Sequence, residues 1–401
     1  MNRRAQFEYH HGMQLRPAPP SPSQPVTWRI PYFRHDLGKA ELDSVARVLD
    51  GEILTTGQAV ADFEAKFAEY LGRPHALGVT SCTGALHLAL IGLDIGPGDE
   101  VITTPMSFVA TATAILEAGA TPVFVDVERD TGNLDAARVE AAITPRTKAI
   151  LPVHLYGLMC DMRALRTIAD RHGLRLIEDA AHCIEGARDG VRPGELSDAA
   201  CFSFYATKNL TCGEGGAIVV NDDALMERLK LLRLHGMTRM GAESAREGYR
   251  HWDMVVLGWK YNMSNIEAAL LLPQFARIDA KLARRRALAE RYEKGFAGID
   301  GIALPSTPRD CVHGRHIYTV WCDAVPRDEL VAHLHGERIG AVVNYRPIHL
   351  MAFFVERYGY QRGDFPIAEW IGDRTVSLPF YPDMKLKDVD IVVDAVAACI
   401  G

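Results

Sequence analysis

Lys208 has strand-like segments on both sides, a setting in which lysine is unusual. In this 401-residue chain it follows the apolar, aromatic segment 201–205 and precedes a glycine-rich turn at 213–216, which leads into the apolar segment 217–220. An amine held in an apolar pocket has a lowered pKa and can form a Schiff base with a carbonyl group. The alternative, on these residues alone, is a lysine at a strand end whose amine reaches solvent.

A carboxylate follows a second apolar segment. Asp179 ends the run 174–179, and the carboxyl ends of strands are where α/β folds place their ligands. A carboxylate there can pair with a protonated ring nitrogen, the partner that pyridoxal phosphate (PLP) needs when it acts as an electron sink. The alternative is an aspartate that caps the following helix. Lys208 and Asp179 are the candidate catalytic residues.

The segment 79–90, VTSCTGALHLAL, has the composition of an anion site. A strand end is followed by small hydroxyl and glycine residues and then by an amphipathic helix. Free backbone N–H groups at a helix N-terminus, together with the helix dipole, bind phosphate. The candidates are Ser81, Cys82, Thr83 and Gly84, and Ser203 can add a hydroxyl from beside the lysine segment. A plain helix cap is the alternative.

These residues need a scaffold that brings them together. Between residues 58 and 221, short apolar segments alternate with amphipathic ones, which predicts seven strands (HALGVT, EVITTP, TPVFVDV, TKAILPVH, LRLIED, ACFSFY and GAIVV) and helices beginning near Thr83, Phe108, Leu134, Met162 and Asp223. Such alternation indicates right-handed βαβ units and a mostly parallel sheet covered on both faces. The lysine, the aspartate and the phosphate segment all follow predicted strands, so the sequence predicts one site at the carboxyl edge.

The remaining segments predict a three-part chain. Residues 1–28 are polar and proline-rich, typical of a flexible arm, and 29–263 form the large sheet domain. A helix is expected within 36–50, and a long helical pattern from 264 to about 298 should be kinked at Pro273. The unit 264–401 continues as a smaller α+β domain, with strands expected at 317–325 and 341–346 and helices at 327–339 and 388–400.

Composition excludes several classes of protein. With a formal net charge of −7, the chain has no basic surplus for nucleic acid or an anionic membrane. The eight cysteines lack CxxC or Cys/His spacing, which predicts no metal site and a reducing, cytoplasmic location. No segment reaches the roughly 18 apolar residues of a membrane helix. No GxGxxG follows the first strand, which argues against a glycine-loop NAD enzyme.

Eight motifs carry a resemblance to a known family: ITTPMSFVATATAI, ILPVHLYG, IEDAAH, FSFYATKN, GEGGAIVVND, LHGM, YNMSNIEAA and SLPFYPDM. In this order they resemble the DegT/DnrJ/EryC1/StrS sugar aminotransferases, PLP enzymes of the aspartate aminotransferase fold (fold type I), from about residue 30 to the C-terminus. The runs KNLTCGEGG and WKYNMSNIEAA are similar to enzymes that aminate C4 of UDP-linked 4-keto sugars, such as UDP-4-amino-4-deoxy-L-arabinose aminotransferase.

The resemblance implies roles for further residues. Phe108 matches the aromatic ring that stacks on PLP, and His182 matches the residue that contacts the cofactor's phenolic oxygen; a core phenylalanine and a capping or core histidine are the alternatives. Where many members have an Asn in a GxNxR segment that reaches the partner's PLP phosphate, this chain has Lys260 and Asn262. The positions expected near the sugar substrate are Thr56, His316, Tyr345 and His349.

The resemblance also implies a reaction. A ping-pong transamination is expected, in which L-glutamate converts PLP to pyridoxamine phosphate (PMP), 2-oxoglutarate leaves, and a nucleotide-linked keto sugar receives the amino group in a homodimer with shared active sites. The alternatives are a 3-keto sugar or keto-cyclitol acceptor, a PLP-dependent sugar dehydratase, and a PLP-binding regulator without catalysis. Family dehydratases have His in place of the lysine, so Lys208 argues against dehydration, and no DNA-binding module is evident for a regulator.

Overall fold

The structure is a computed structural model that describes residues 27–238 and 251–401. The predicted flexible arm, 1–28, therefore lies almost entirely outside the described residues. The described residues before 221 contain eight strands: β1 (His75–Val79), β2 (Glu100–Thr103), β3 (Thr121–Phe124), β4 (Thr147–Leu151), β5 (Arg175–Asp179), β6 (Ala187–Arg188), β7 (Ala199–Ser203) and β8 (Gly216–Val220). All but β6 form one seven-stranded sheet in the order β1-β8-β7-β5-β4-β2-β3. The seven predicted strands are these seven.

Seven described helices accompany these strands, and all but the first contribute to covering the sheet. They are α1 (Lys39–Leu49), α2 (Gln58–Leu71), α3 (Cys82–Gly92), α4 (Ala110–Glu117), α5 (Ala136–Val139), α6 (Met162–His172) and α7 (Asp223–Arg233). One apolar core packs α3 and α7 against the sheet, and a second lies under α2, where Phe63 and Phe67 are fully buried. The sheet is thus covered on both faces, as the near-continuous apolar strands require.

The direction of β8 places its first residue at the carboxyl edge of the parallel strands. Strands β2, β3, β4, β5 and β7 are parallel, whereas β8 runs antiparallel to both β1 and β7. The first residue of β8, Gly216, therefore pairs with the last residues of its neighbours, Val79 and Ser203. The turn after Lys208 consequently returns to the same edge at which Asp179 ends β5. The residues of the predicted site therefore lie at this edge of the sheet.

The C-terminal part begins with a broken helix. It comprises α8 (Asn265–Leu271), a 3-10 helix (Leu272–Arg277) that contains Pro273, and α9 (Ile278–Phe296). Ser264 and Glu267 cap α8 reciprocally. Because proline has no N–H to donate, the α-helical hydrogen bonds are interrupted where the sequence predicted a kink.

A smaller sheet follows α9. Further along lie β9 (Ile302–Ala303), β10 (Cys311–Val312), β11 (Tyr318–Cys322), α10 (Arg327–Gly336), α11 (Ala352–Tyr358), α12 (Pro366–Gly372), β12 (Thr375–Leu378) and α13 (Leu386–Ile400). Strands β12, β11 and β9 form a three-stranded antiparallel sheet, and β10 pairs with β6. The mostly parallel α/β sheet with a smaller C-terminal α+β part confirms the predicted fold class. The division at residues 28/29 and 263/264 stays a prediction.

One predicted strand is wrong. In segment 341–346 only Val342 makes an isolated bridge, to Ser377. The carbonyl of Asn344 accepts hydrogen bonds from the side chains of Tyr156 (2.6 Å) and Thr375 (3.1 Å), so side chains replace a strand partner and the backbone turns away from the sheet. Among the described helices, none combines the length and apolar character needed to cross a bilayer.

Candidate active site

A cavity of about 530 Å³ opens at the carboxyl edge of the large sheet. Both candidate catalytic residues line it, together with most of the predicted cofactor residues. Its lining includes Ser81, Cys82, Thr83, Phe108, Asp179, His182, Ser203, Lys208, His316 and Tyr345. The strand ends and the C-terminal segments thus meet around one space, as the sequence predicted.

Lys208 reaches this cavity from the turn after β7. Its backbone N–H donates to the carbonyl of Tyr205 (2.9 Å), which fixes the turn, and its Nζ lies 3.3 Å from Nε2 of His316. Burial lowers the pKa of Lys208 to about 8, although the nearby Cys82 and Asp179 oppose this shift. About a tenth of the amine is therefore neutral, and nucleophilic, at pH 7, far more than for an ordinary lysine.

Asp179 is held by several donors at the base of the cavity. Its Oδ2 accepts from the hydroxyl of Thr111 (2.8 Å), and its Oδ1 accepts from the N–H of Ala181 (3.1 Å) and the thiol of Cys82 (3.9 Å). Burial raises the pKa of Asp179, while the bonds from Thr111 and Ala181 lower it. Because both oxygens are occupied by donors, the carboxylate has a fixed orientation.

The predicted phosphate segment forms the start of α3. Ser81 is the N-cap, and its Oγ accepts from the N–H of Gly84 (3.0 Å). The N–H of Gly84 is therefore engaged by the helix cap, Gly84 does not line the cavity, and its role at the phosphate stays a prediction. Ser81, Cys82 and Thr83 do line the cavity. A Cβ on Gly216 would lie 2.4 Å from the carbonyl carbon of Ser81, so glycine allows β8 to approach this helix end.

Three rings form one side of the cavity. His182 accepts the N–H of Tyr156 at Nδ1 (3.2 Å), and its Nε2 lies 3.1 Å from the hydroxyl of Tyr345. Burial lowers the pKa of His182 well below its usual value, so the imidazole is neutral. The ring of Phe108 is 6.2 Å from that of Tyr345 and 59% of the residue is exposed, which excludes a role as a core phenylalanine.

Three predicted residues lie outside the cavity of their own chain. The amide of Asn262 donates to the hydroxyl of Thr56 (2.8 Å), which donates in turn to the carbonyl of Met263 (2.7 Å). The amine of Lys260 donates to Oδ1 of Asn262 (2.6 Å). Lys260 is exposed, and none of the three lines the cavity. The roles predicted for Lys260, Asn262 and Thr56 therefore stay predictions.

His349 was predicted near the substrate but lies in a separate buried cluster. Its Nε2 is 3.0 Å from Oε1 of Glu369, and its ring packs edge-on against Phe365 (4.7 Å). The residue is fully buried and is not in the cavity lining. This placement corrects the expectation, because a ligand in the cavity has no access to the imidazole.

The cavity also contains residues that the sequence did not single out, namely Tyr32, Ser107, Thr111, Glu214 and Asn344. Ser107 and Thr111 share a hydrogen bond of 2.8 Å, and their spacing of four residues before and within α4 is a signal that could have identified them. Tyr32 and Asn344, which share a 3.2 Å bond, come from distant segments and have no local signal.

The residues of the cavity fit PLP. The amine of Lys208 can bond to an aldehyde carbon, the carboxylate of Asp179 can accept from a ring N–H, and the start of α3 can bind a phosphate. The start of α3 is also held in place beside the cavity, because the absence of a side chain at Gly216 lets β8 pack directly against the backbone of Ser81 and Cys82.

The fold and this site define an aminotransferase of fold type I. The sequence model of the DegT/DnrJ/EryC1/StrS aminotransferase family matches residues 35–397, and the chain belongs to this family. The spore coat polysaccharide biosynthesis protein SpsC of Bacillus subtilis (strain 168) is 42% identical over 373 residues, which cover 92% of this chain and 96% of SpsC.

Solved structures agree with this assignment. S. venezuelae DesV, solved in complex with a ketimine intermediate, is 41% identical and superimposes with a TM-score of 0.83 over 89% of this chain and 93% of DesV. The Streptococcus pneumoniae protein Spr1654 in its PLP form is 29% identical and has a TM-score of 0.86 over 92% of this chain and 98% of its own. Spr1654 has also been solved in its PMP form.

Proposed function

We propose that the protein moves an amino group from L-glutamate to a nucleotide-linked keto sugar by a ping-pong mechanism, in an amino-sugar pathway for polysaccharides or glycans. It is a sugar aminotransferase, and its cofactor is PLP, which alternates with PMP. The observation that carries the proposal is the pair of Lys208, with its lowered pKa, and buried Asp179 on one cavity beside a helix N-terminus. When bound, PLP supplies an electron sink for the carbanion formed at the donor's Cα.

The residues of the chain have distinct tasks in this reaction. Lys208 holds the cofactor until the amino donor binds, and its freed Nζ then takes the proton from Cα of the donor. Asp179 keeps the ring nitrogen protonated by accepting its hydrogen bond, and Phe108 packs against the ring. Ser81, Thr83 and Ser203, with the N–H groups that open α3, bind the phosphate. His182 contacts the phenolic oxygen of the cofactor, and Tyr345 contacts the sugar.

A homodimer completes the site in this proposal. Lys260, Asn262 and Thr56 form a hydrogen-bonded chain that does not face their own cavity, and we infer that they serve the site of a second copy. The neighbouring segment 252–257 exposes a run of apolar side chains, Trp252, Met254, Val255, Val256 and Leu257. Exposed apolar patches of this kind mark interfaces. Sedimentation analysis is expected to give a dimer, and a stable monomer with full activity would overturn this part.

The acceptor is the finer part of the proposal. Amination at C4 of a UDP-linked 4-keto sugar is favoured by the runs that include Cys212 and Trp259, and SpsC provides a link to polysaccharide formation. A 3-keto sugar or a keto-cyclitol is the second candidate acceptor. Dehydration is disfavoured because Lys208 occupies the position at which dehydratases have histidine. A cytoplasmic location fits the eight free cysteines.

An absorbance experiment tests the half-reaction. The purified protein is loaded with PLP and treated with L-glutamate beside Lys208→Ala and a control, Lys39→Ala, whose side chain is 86% exposed. Conversion to the PMP spectrum is expected for the wild type and the control, and no conversion for Lys208→Ala. A wild type that binds PLP but responds to no amino donor would overturn the assignment.

The acceptor is then identified with the PMP form. UDP- and TDP-linked 4-keto sugars, a 3-keto nucleotide sugar and a keto-cyclitol are each mixed with it, and recovery of the PLP spectrum is followed together with the mass of the product. The UDP-linked 4-keto sugar is expected to react fastest. Preference for a 3-keto substrate or the cyclitol would replace the C4 proposal and leave the transaminase assignment intact.

A further inference from the structure

A buried ion pair lies beside the active site without touching the main cavity. Arg285 of α9 donates from Nη2 to Oε1 of Glu185, in the loop after β5. Their side chains are 2% and 1% exposed. Taking two charges out of water has a large desolvation cost, which can exceed the attraction between them. An ion pair at this depth is therefore weak evidence for a role in stability. Its neighbours indicate a different role.

The other oxygen of Glu185 holds the residue next to the lysine. The amide nitrogen of Asn209 donates to Oε2 of Glu185 (2.9 Å) and to the carbonyl of Gly314 (3.0 Å). Gly314 in turn donates its N–H to the carbonyl of Gly157 (2.8 Å). One amide therefore joins the lysine turn to the segment that leads to His316, and the carboxylate of Glu185 fixes which way this amide faces.

Lys208 and His316, which lie next to the two segments joined by Asn209, are in direct contact. Nζ of Lys208 and Nε2 of His316 lie 3.3 Å apart, and both residues also line a second, smaller cavity together with Asn209 and Arg285. Burial, followed by the charges of Lys208 and Arg285 among others, lowers the pKa of His316. The imidazole is neutral, so its Nε2 can accept a hydrogen bond from the lysine amine.

We propose that Glu185 and Arg285 are positioning residues for the catalytic lysine: through Asn209 they hold the turn of Lys208 against the segment of His316. The proposal rests on the assigned transamination for its kinetic consequence only. If the pair is lost, the amide of Asn209 is released, the lysine turn loosens and water reaches the amine. A more hydrated amine is easier to protonate, so its titration moves towards that of an ordinary lysine.

The test compares variants that separate folding from positioning. The double variant Glu185→Leu/Arg285→Met removes both charges and replaces them with apolar groups, which buried sites often tolerate. Asn209→Leu removes the connecting amide, leaves the ion pair in place and serves if the double variant does not fold. Arg291→Met is the matched control, because Arg291 lies on the same helix and its pair with Asp390 is about 40% exposed.

The first readout needs no activity. The full-length protein without PLP is treated with an amine-acylating reagent over a range of pH, and modification of Lys208 is quantified by peptide mass spectrometry. The midpoint is expected to rise by about one pH unit, equivalent to a tenfold change in the amine's ionisation constant, in the variants but not in Arg291→Met. The second readout is the rate at which the PLP-loaded protein is converted by L-glutamate, expected to fall about tenfold.

The outcomes are distinguishable from those of the proposed function. Folded variants with the wild-type midpoint and the wild-type half-reaction rate would overturn the positioning role, because a purely structural pair moves neither. A wild type that ignores L-glutamate would instead overturn the proposed function, and the midpoint of Lys208 would still decide whether Glu185 and Arg285 position it.

Discussion

The hydroxyl of Thr111 donates a 2.8 Å hydrogen bond to Oδ2 of Asp179, from the first turn of α4 to the end of β5. The same hydroxyl oxygen lies 2.8 Å from that of Ser107, so a chain of two hydroxyls ends on the carboxylate. Hydrogen bonds to an ionised carboxylate favour that form. Thr111 thus opposes the burial that raises the pKa of Asp179.

Thr111→Val is expected to slow the L-glutamate half-reaction roughly 10- to 100-fold, because a hydrogen bond to a charged group contributes about 1.5–3 kcal/mol. Without the donor, the pKa of Asp179 rises further, so the carboxylate protonates at a higher pH. The acidic limb of the pH–rate profile should therefore move to higher pH. Thr111→Ser, which keeps the hydroxyl, should retain the wild-type profile; identical profiles for Val and Ser would contradict the role.

Lys208 makes the stability of the PLP-free protein depend on pH. Its pKa falls from 10.5 to about 8 in the folded state, so the unfolded chain binds its proton more tightly. The free energy of unfolding then rises with pH between about 8 and 10.5. Below pH 8 the buried, charged amine lowers it by a constant amount, on the order of 3 kcal/mol.

The variant Lys208→Met tests this cost. Its free energy of unfolding without PLP, measured by urea titration, should exceed that of the wild type most below pH 8. The difference should shrink as the pH rises towards 10.5. A difference that is absent, or that grows with pH, would show that the amine is not held in a low-dielectric site.

Gly216 is expected to be intolerant of any side chain. A Cβ there would lie 2.4 Å from the carbonyl carbon of Ser81 and 2.6 Å from the nitrogen of Cys82, so Gly216→Ala must displace the start of α3 from β8. Weaker binding of PLP is expected, by roughly tenfold or more, since backbone donors act only when they are placed correctly. Equilibrium titration with PLP provides the measurement.

Gly336→Ala is the matched control for this glycine. A Cβ at Gly336 would meet nothing within 4 Å, and its backbone needs no positive φ. Its affinity for PLP should equal that of the wild type. Equal affinities for Gly336→Ala and Gly216→Ala would contradict the idea that close approach at Gly216 shapes the site.

The sequence predicted the sheet well because its strands are short apolar runs bounded by turn residues. All seven strands occur, and Pro273 interrupts the long helix as expected. The strand predicted at 341–346 is absent. Its apolar sequence is the same whether a neighbouring strand or side chains form the hydrogen bonds of its backbone, so the sequence could not separate the two cases. Here the hydroxyl of Tyr156, which is distant in sequence, occupies the carbonyl of Asn344.

The site was predictable where a residue's role depends on its own strand. Lys208, Asp179 and Ser81 each follow a strand, and parallel packing brings strand ends together. Glu185, Thr111 and Tyr32 act through contacts with other segments, which no local pattern indicates. The role of Gly84 stays a prediction, because capping by Ser81 and phosphate binding use the same N–H groups and the sequence cannot separate the two uses.

His349 is the residue for which the position implied by the family resemblance and the position in the structure differ most clearly. Because its Nε2 bonds to Glu369 in the core and burial lowers its pKa, the imidazole is a neutral structural donor. His349→Ala should lower the free energy of unfolding by about 2–3 kcal/mol, since it leaves a buried carboxylate short of a donor. The KM for the keto sugar should remain within about twofold of the wild type, a difference of less than 0.5 kcal/mol in binding.

Tyr345→Phe is the informative comparison, because Tyr345 lines the cavity and its hydroxyl contacts His182. This variant should leave the free energy of unfolding nearly unchanged and reduce kcat/KM for the sugar. Chemical denaturation and steady-state kinetics on both variants give the two readings. If His349→Ala raised the KM for the sugar as much as Tyr345→Phe does, the imidazole would have to reach the ligand, and the buried pair with Glu369 would have to open during turnover.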